Sequence, residues 1–320
     1  MPVIVANGLV RNFGTIEAVK GISFAIASGE IFGFVGPNGA GKSTTINILC
    51  TLLRPTAGQV MVNGCDVQRD SNAVRRSIGL VFQDTTLDSY LTAEQNLLFH
   101  GWAYGVPSAT LSRRMRELLE LVELWDRRKE KISHYSGGMK RRLEIARGLL
   151  HTPRVLFLDE PTLGLDPQTR RHIWNYVREL REREGLTIFM TTHYLDEAEI
   201  CDRIAIIDHG KLVTLDTPDR LKDALGGDVV TLETEDAPGA AAIVRERYGF
   251  DPVITAGQVQ FRVPNGERFL PEFVRSFDQP LRAISVRRPT LEDVFISQTG
   301  HAIRPAADGV QDAWRARWKR

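Results

Sequence analysis

Short, mostly apolar runs recur through the first two thirds of the chain and alternate with longer segments of helical periodicity. The clearest runs are IFGFV (31–35), VLFLD (155–159), TIFMTT (187–192) and RIAIID (203–208). Strands that are apolar along their whole length need cover on both faces, and parallel sheets receive it from the helices that connect their strands. The pattern therefore predicts an α/β fold with a mostly parallel core sheet.

Helical patterns fill the segments between these runs. A helix is expected from Ser43 to about Leu53, where Arg54-Pro55 stops it. The stretch from Thr92 to about Leu150 is mostly helical and opens with the capping box TAEQ, so a helical subdomain is expected over about 84–150. Asp166-Pro167 is typical of a further helix start. QVMVNG (59–64) predicts a short strand, and His209-Gly210 predicts a hairpin.

The pattern changes after Gly226-Gly227, where a domain boundary is predicted between residues 1–225 and 226–300. Beyond it, the order is strand, helix, two strands, helix and strand, which is typical of a small ferredoxin-like α+β module. A tail over 301–320 carries Trp314 and Trp318 among arginines. This tail is expected to be a frayed end or a docking segment for a membrane surface or partner.

Composition narrows the function classes. There are 41 basic and 40 acidic residues, a net charge of +1 that gives no electrostatic reason to expect a nucleic-acid partner. Cys50, Cys65 and Cys201 are widely spaced, so we predict reduced thiols, with no disulfide and no structural metal. No apolar run reaches the ~18–20 residues of a membrane span, and no signal-peptide pattern opens the sequence. A cytosolic protein that reaches a membrane only through a partner is expected.

The segment GPNGAGKS (36–43) matches the phosphate-loop pattern GxxxxGK[ST] between a predicted strand and helix. Its glycines allow backbone N–H groups to surround phosphate oxygens, Lys42 reaches the terminal phosphates, and Ser43 is a Mg²⁺ ligand. The predicted nucleotide-binding residues here are Gly36, Pro37, Asn38, Gly39, Ala40, Gly41, Lys42, Ser43 and Thr44.

The run VLFLDE ends in two acids. Asp159, at the end of a buried strand, is predicted to hold Mg²⁺ directly or through water. Glu160 follows it and is predicted to polarise an attacking water as a general base.

A second anion site is predicted in HYSGGMKRRLEIARGLL (134–150). Ser136 is placed to cap an amphipathic helix, and Gly137 and Gly138 leave its N-terminal N–H groups accessible. A single chain that carries two phosphate-binding elements needs an explanation.

Together these motifs resemble the nucleotide-binding subunit of an ATP-binding-cassette (ABC) transporter over residues 1 to about 225. Four further motifs of that family follow in its order: RNFG, VFQD, LGLD and the His193 after TIFMTT. The resemblance implies that Phe13 stacks on adenine, that Gln83 meets Mg²⁺ and leads into the membrane-coupling region, and that Asp166 ends a dimer-contact loop. His193 is then the switch histidine.

The same resemblance explains the second anion site. It implies a dimer in which each ATP lies between one subunit's phosphate loop and the Ser136–Gly138 segment of the other, with ATP closing the dimer and hydrolysis releasing it. Lys42 and His193 then stabilise charge on the γ-phosphate while Glu160 activates water. Tyr135 and Met139 replace the outer residues of the commonest signature, LSGGQ, and the effect of that change on dimer affinity is left open.

Within the family, PTLEDVFISQTG and DEPTLGLDPQTRR are similar to the daunorubicin-resistance type of drug exporter. That likeness implies an ATPase which energises export of drug-like or lipophilic compounds through a separate integral-membrane permease, on the cytoplasmic face of the membrane. An importer ATPase is the first alternative. A soluble ABC-type ATPase that acts on nucleic acid or the ribosome is the second.

Overall fold

The structure is a computed structural model that describes residues 2–255 and 257–301. The described part of the chain divides into two compact units, one ending at Leu215 and the other beginning at Asp216. This division precedes the boundary predicted at Gly226-Gly227. The predicted tail with Trp314 and Trp318 lies outside the described residues. In the described part, no helix is long and apolar enough to span a membrane.

The first unit contains most of the strands and helices. In chain order they are β1 (Pro2–Phe13), β2 (Ile16–Ala27), β3 (Ile31–Val35), α1 (Lys42–Leu49), β4 (Ala57–Val62), β5 (Cys65–Asp66), α2 (Ser71–Ser77), β6 (Ile78–Val81), α3 (Ala93–Ala103), α4 (Ser108–Leu121), α5 (Gly137–Leu149), β7 (Val155–Asp159), α6 (Pro167–Glu184), β8 (Thr187–Thr192), α7 (Leu195–Ala198), β9 (Arg203–Asp208) and β10 (Lys211–Asp216). A short 3₁₀ helix (Ile132–His134) precedes α5.

The core sheet has six strands in the order β10-β9-β3-β8-β7-β6. β3 pairs in parallel with β8 and β9, and β7 pairs in parallel with β6 and β8. The prediction of a mostly parallel core sheet is therefore confirmed. Since parallel strands end on the same edge, the residues that follow β3, β6, β7 and β8 are brought together there, which is where ligands bind in such sheets.

A second sheet of four strands has the order β2-β1-β4-β5, with antiparallel pairing throughout. The sequence patterns above do not predict its two longest strands, β1 and β2. The signal is present in β2, where Ile22, Phe24 and Ile26 are buried and the residues between them are exposed. This sheet holds Phe13 at the end of β1.

The helix after the phosphate loop is shorter than predicted. α1 ends at Leu49, and the amides of Leu52 and Leu53 both donate to the Asn47 carbonyl, at 2.8 and 3.1 Å. Thr51 adopts a left-handed conformation with φ 64°, so the chain turns away before it reaches Arg54-Pro55. The predicted end near Leu53 is wrong, whereas the capping box at Thr92 is confirmed at the start of α3.

The second unit is a smaller α+β module. Its elements are α8 (Pro218–Asp223), β11 (Asp228–Thr234), α9 (Ala237–Tyr248), β12 (Val253–Thr255), β13 (Gln258–Val263), α10 (Gly266–Ser276), β14 (Leu281–Arg287) and α11 (Leu291–Thr299). The sheet order is β12-β13-β11-β14 and all pairs are antiparallel, as in a ferredoxin-like βαββαβ module. Its core packs Val230, Phe261 and Phe273 between the sheet and the helices α9 and α10.

Candidate functional site

The loop between β3 and α1 requires glycine at two positions. Gly41 has φ 106°, and a Cβ there would lie 2.6 Å from the Ala18 carbonyl oxygen. A Cβ on Gly36 would lie 2.2 Å from the Ile207 carbonyl oxygen. Both ends of the loop therefore press against neighbouring backbone, while Asn38 and Gly39 stay exposed at its tip. A loop of this kind offers its backbone N–H groups to an anion.

Lys42 lies inside this loop and is only 4% exposed. Its Nζ donates to the Gly36 carbonyl at 2.8 Å and to the Pro37 carbonyl at 3.2 Å. The same atom lies 3.2 Å from Oε1 of Glu160. Burial lowers the pKa of Lys42, and the nearby negative charge of Glu160 opposes that shift. The ammonium therefore links the loop to the acidic end of β7.

Asp159, Ser43 and Thr191 form an oxygen-rich group at the same edge of the sheet. Ser43 Oγ lies 3.5 Å from Oδ1 of Asp159, and Thr191 Oγ1 donates to the same carboxylate oxygen at 2.5 Å. Burial raises the pKa of Asp159, while the hydrogen bond from Thr191 lowers it. Hydroxyl and carboxylate oxygens are the ligands that Mg²⁺ prefers, so this donor set fits that ion.

Glu160 adopts a left-handed conformation with φ 45°, which is uncommon for a residue with a side chain. Its N–H donates to the Thr191 carbonyl at 3.2 Å and to Thr191 Oγ1 at 3.0 Å. Its Oε2 lies 3.1 Å from Nδ1 of His193. Burial raises the pKa of Glu160, but the hydrogen bond from His193 and the charge of Lys42 outweigh burial and lower the pKa overall. The carboxylate is thus ionised at neutral pH.

The second anion element, at the start of α5, is accessible to solvent. Ser136 caps the helix by accepting a hydrogen bond from the Met139 N–H at 3.3 Å, and Ser136 and Gly137 are exposed. A Cβ on Gly138 would lie 2.6 Å from Thr169 Cγ2, so this end of α5 packs closely against the start of α6. There Asp166 caps α6, and its Oδ1 accepts from the Thr169 N–H at 3.0 Å.

Tyr135 and Met139, which depart from the commonest signature, are buried at 4% and 8% exposure. The Tyr135 hydroxyl donates to the Arg127 carbonyl at 2.8 Å, and the Arg127 guanidinium lies 3.3 Å from the Met139 sulfur. Both side chains therefore pack inside their own subunit rather than extend from the accessible end of α5.

Phe13 and Gln83 stand at the periphery of the site. Phe13 is 44% exposed, with the Arg11 guanidinium 4.4 Å from its ring centroid. Gln83 is exposed two residues after β6, next to the strand that ends in Asp159.

The structure brings one group of predicted residues into direct contact: Lys42, Ser43, Asp159, Glu160 and His193. Among the described residues, no recorded hydrogen bond or ion pair joins this group to Ser136–Gly138, Phe13 or Gln83. The two anion-binding elements are therefore separate features of one chain.

Sequence reasoning missed three residues that support the group. Thr191 bonds both Asp159 and Glu160, and the only sequence signal for it was a threonine pair at the end of an apolar run. Glu197 accepts hydrogen bonds from Thr162 and Thr192. Arg141 donates to backbone carbonyls next to Glu160. Charged residues on a helix are usually assigned to its solvated face, so the sequence did not mark Glu197 or Arg141 as buried.

Known proteins have similar sequences. The protein-family model described as "ABC transporter" matches residues 19–163. The daunorubicin/doxorubicin resistance ATP-binding protein of Streptomyces peucetius is 40% identical over 95% of this chain and 94% of its own length. The linearmycin resistance ATP-binding protein of Bacillus subtilis is 37% identical over 93% of this chain and 99% of its own length. This chain belongs to the ABC transporter ATP-binding proteins.

Solved structures agree with that assignment. An ATP-binding subunit of an ABC transporter superposes with a TM-score of 0.64 at 30% identity, over 70% of this chain and 93% of that one. A dimeric ATP-binding cassette in a post-hydrolysis state, bound to ADP and Pi, gives 0.60 at 30% identity, over 67% and 98%. The resemblance stated from the motifs is thus confirmed. The chain is an ABC-type ATPase that binds ATP, and ATP-binding subunits of this family form dimers and pair with membrane permeases.

Proposed function

We propose that this protein powers export of a drug-like or lipophilic compound through a separate integral-membrane permease, at the cytoplasmic face of the membrane. The observation that carries the proposal is the likeness to resistance ATP-binding proteins over 93–95% of the chain, which includes the second unit as well as the cassette. The importer alternative is not favoured, because those relatives are named for resistance. No observation favours a nucleic-acid or ribosome partner.

The catalytic role of Glu160 is proposed from its charge and position. A general base must be ionised and within reach of the attacking water. The pKa of Glu160 is lowered, and its carboxylate lies between His193 Nδ1 and Lys42 Nζ, at 3.1 and 3.2 Å. When the γ-phosphate is present, Lys42 is proposed to leave Glu160 for that stronger anion, which frees one carboxylate oxygen to accept a proton from water. His193 then orients Glu160 and stabilises phosphate charge.

The metal ligands proposed here are Ser43, Asp159 and, at the rim, Gln83. The distance of 3.5 Å between Ser43 Oγ and Asp159 Oδ1 lets both oxygens face one small cation. When bound there, Mg²⁺ would neutralise charge on the phosphate oxygens of ATP. Thr191 fixes the orientation of the Asp159 carboxylate by its 2.5 Å hydrogen bond.

The dimer is proposed to be a sandwich of two copies with ATP at the interface. Ser136 and Gly137 are exposed at the N-terminus of α5, where backbone N–H groups are available to an anion. In the described part of the chain, no residue of the same subunit's phosphate loop is hydrogen-bonded to these groups. The partner copy's γ-phosphate is the anion of matching charge. Two equivalent sites follow from a two-fold axis.

The permease contact is proposed on the helical region. Phe99 and Trp102, three positions apart on α3, are 69% and 64% exposed, and Tyr90 just before this helix is 83% exposed. Large aromatic side chains grouped on one surface are typical of a protein–protein interface. These residues follow Gln83 in the chain, so the proposed interface and the proposed metal ligand lie on consecutive segments.

The test is to co-express the chain with a candidate integral-membrane permease from the same genome, in cells that lack other efflux pumps, and to follow accumulation of fluorescent doxorubicin. We expect reduced accumulation with the wild-type chain and none of this reduction with Glu160→Gln. Equal accumulation in both strains would contradict the proposed cargo class. ATPase activity that is lost with Glu160→Gln in purified protein would still support the proposed chemistry.

A further inference from the structure

Arg141 makes three hydrogen bonds to the backbone of segments outside its own helix. It lies on α5, a little over one turn after Ser136, and is 6% exposed. Nε donates to the Pro161 carbonyl at 2.6 Å, and Nη2 donates to the Asp159 carbonyl at 3.0 Å. Nη1 donates to the Phe82 carbonyl at 2.5 Å. The Arg141 guanidinium therefore joins α5 to the two segments that carry Glu160 and Gln83.

The first two of these carbonyls belong to the residues on either side of Glu160. That residue has φ 45°, a conformation that persists only where its surroundings over-determine it. The planar fork of an arginine can bind two carbonyls at once in fixed geometry, which an ammonium cannot do. Arg141 consequently holds the peptide group that precedes Glu160, and it also holds the carbonyl of Pro161, the residue that follows Glu160.

The same face of α5 also holds the segment around Gln83. Glu144, one turn further along, lies 3.2 Å from Arg141 Nη1 and accepts a hydrogen bond from the Thr86 N–H at 2.8 Å. Arg147 donates to the Thr86 carbonyl at 2.9 Å. The bonds to Phe82 and Thr86 thus bracket Gln83 on both sides, and Glu144 is only 1% exposed.

We propose that Arg141 is a positioning residue for ATP hydrolysis, which fixes Glu160 and the Gln83 segment to the start of the helix that meets the partner's ATP. Among the described residues, its hydrogen bonds reach none of the side chains proposed as metal ligands, and it acts through the backbone of residues 82, 159 and 161. This inference rests on the proposed role of Glu160 as general base. The proposed role explains why Arg141 is buried although the N-terminal end of its helix is exposed.

Substitution of a buried arginine with a purely structural role should have different effects, and Arg114 provides the matched control. Arg114 on α4 is 8% exposed, and it bonds the Glu184 carboxylate at 3.2 Å and the Leu149 carbonyl at 3.4 Å. None of its recorded bonds in the described chain reaches residues 82–86 or 159–161. Loss of Arg114 should therefore affect stability, whereas loss of Arg141 should also change turnover.

The experiment compares Arg141→Gln, Arg141→Lys and Arg114→Gln in the full-length protein, with kcat, KM for ATP, equilibrium ATP binding and thermal unfolding. We expect Arg141→Gln to lower kcat about 10- to 100-fold, since misplacement by about 1 Å can have an effect of that size. ATP binding should change less than threefold. Arg141→Lys should fall between wild type and Arg141→Gln, and Arg114→Gln should keep kcat within twofold of wild type. If Arg141→Gln does not fold, Arg141→Lys carries the comparison.

A double-mutant comparison separates this inference from the proposed function. Adding Arg141→Gln to Glu160→Gln should lower the residual turnover much less than Arg141→Gln lowers that of wild type, because the base that Arg141 positions is already gone and only its contact with the Gln83 segment is left to lose. A wild-type kcat in folded Arg141→Gln or Arg141→Lys would overturn the inference, as would an equal loss of turnover in the Glu160→Gln background. Normal turnover in Glu160→Gln alone would instead overturn the role of Glu160.

Discussion

Nδ1 of His193 lies 3.1 Å from Oε2 of Glu160, so the imidazole after β8 directly contacts the carboxylate after β7. The two strands are parallel neighbours, which is why residues separated by more than thirty positions meet at one edge of the sheet. Lys42 Nζ lies 3.2 Å from the other carboxylate oxygen, Oε1. The proposed base is therefore held from both sides, by Lys42 next to the phosphate loop and by His193.

Replacing Glu160 with Gln should separate ATP binding from hydrolysis. The amide keeps the shape of the side chain but cannot accept a proton from water, so turnover should fall about 10²- to 10⁴-fold. ATP should still bind and should hold the protein as a dimer, which size-exclusion chromatography with and without ATP would detect. Glu179→Gln, on the exposed face of α6, is the control. Near-normal turnover in Glu160→Gln would refute the assignment of the base.

Removing His193 should shift the pH at which kcat falls in acid solution. The pKa of Glu160 is lowered below its usual 4.5 because the bonds from His193 and Lys42 outweigh burial. A lowered pKa keeps the base ionised as the pH falls, so wild-type kcat should persist into mildly acid solution. In His193→Ala, the carboxylate loses the hydrogen bond that offsets the effect of burial, so the pKa of Glu160 should rise and the acid limb should shift to higher pH. If kcat measured from about pH 4 to 9 falls at the same pH in His193→Ala as in wild type, this coupling is excluded.

Placing a large cation at the start of α5 should block hydrolysis without affecting the nucleotide site of the same subunit. Ser136→Arg fills the exposed end that the partner's ATP is proposed to reach. We expect monomer ATP binding to be retained and ATP-dependent dimerisation and turnover to be lost. Ser136→Ala removes the cap at a cost of about 1 kcal/mol but adds no bulk, so it controls for loss of helix stability. Unimpaired hydrolysis by Ser136→Arg would contradict the sandwich.

The core sheet could be predicted from the sequence because strands that are buried on both faces are apolar at nearly every position. This pattern can be recognised without knowledge of the tertiary structure. It missed β1 and β2, whose half-buried alternation is interrupted by polar residues. The site residues with family motifs were readable from one-dimensional spacing. Thr191 and Arg141 were not, since their roles come from bonds to the backbone of distant segments. Backbone donors and acceptors leave no mark in a sequence.

Acid should destabilise the fold through His100. Burial lowers its pKa from 6.5 to about 3, with the charges of Arg147 and His151 in the same direction. Because the unfolded chain binds the proton first, the stabilisation is present above pH 6.5 and is lost as the pH falls towards 3. We expect a loss of about 1–2 kcal/mol between pH 6.5 and 5. His100→Phe and His100→Gln should both flatten this slope in urea unfolding, and a slope equal to wild type would contradict the assignment.

Two glycines of the phosphate loop offer a test of why the loop has its shape. Gly39 and Gly41 both have positive φ, 82° and 106°. A Cβ on Gly39 has nothing within 4 Å, whereas one on Gly41 meets the Ala18 carbonyl oxygen at 2.6 Å. Gly39→Ala therefore carries only the conformational penalty, about 1–2 kcal/mol.

Gly41→Ala adds a backbone clash and must displace the loop from β2. We expect its ATP affinity to fall at least tenfold, measured with a fluorescent ATP analogue, while that of Gly39→Ala falls much less. Equal losses in the two variants would show that φ strain alone sets the loop. A larger loss in Gly41→Ala would instead show that the phosphate-binding conformation depends on close contact between this glycine and the antiparallel sheet, which ties the nucleotide site to the strand pair that also positions Phe13.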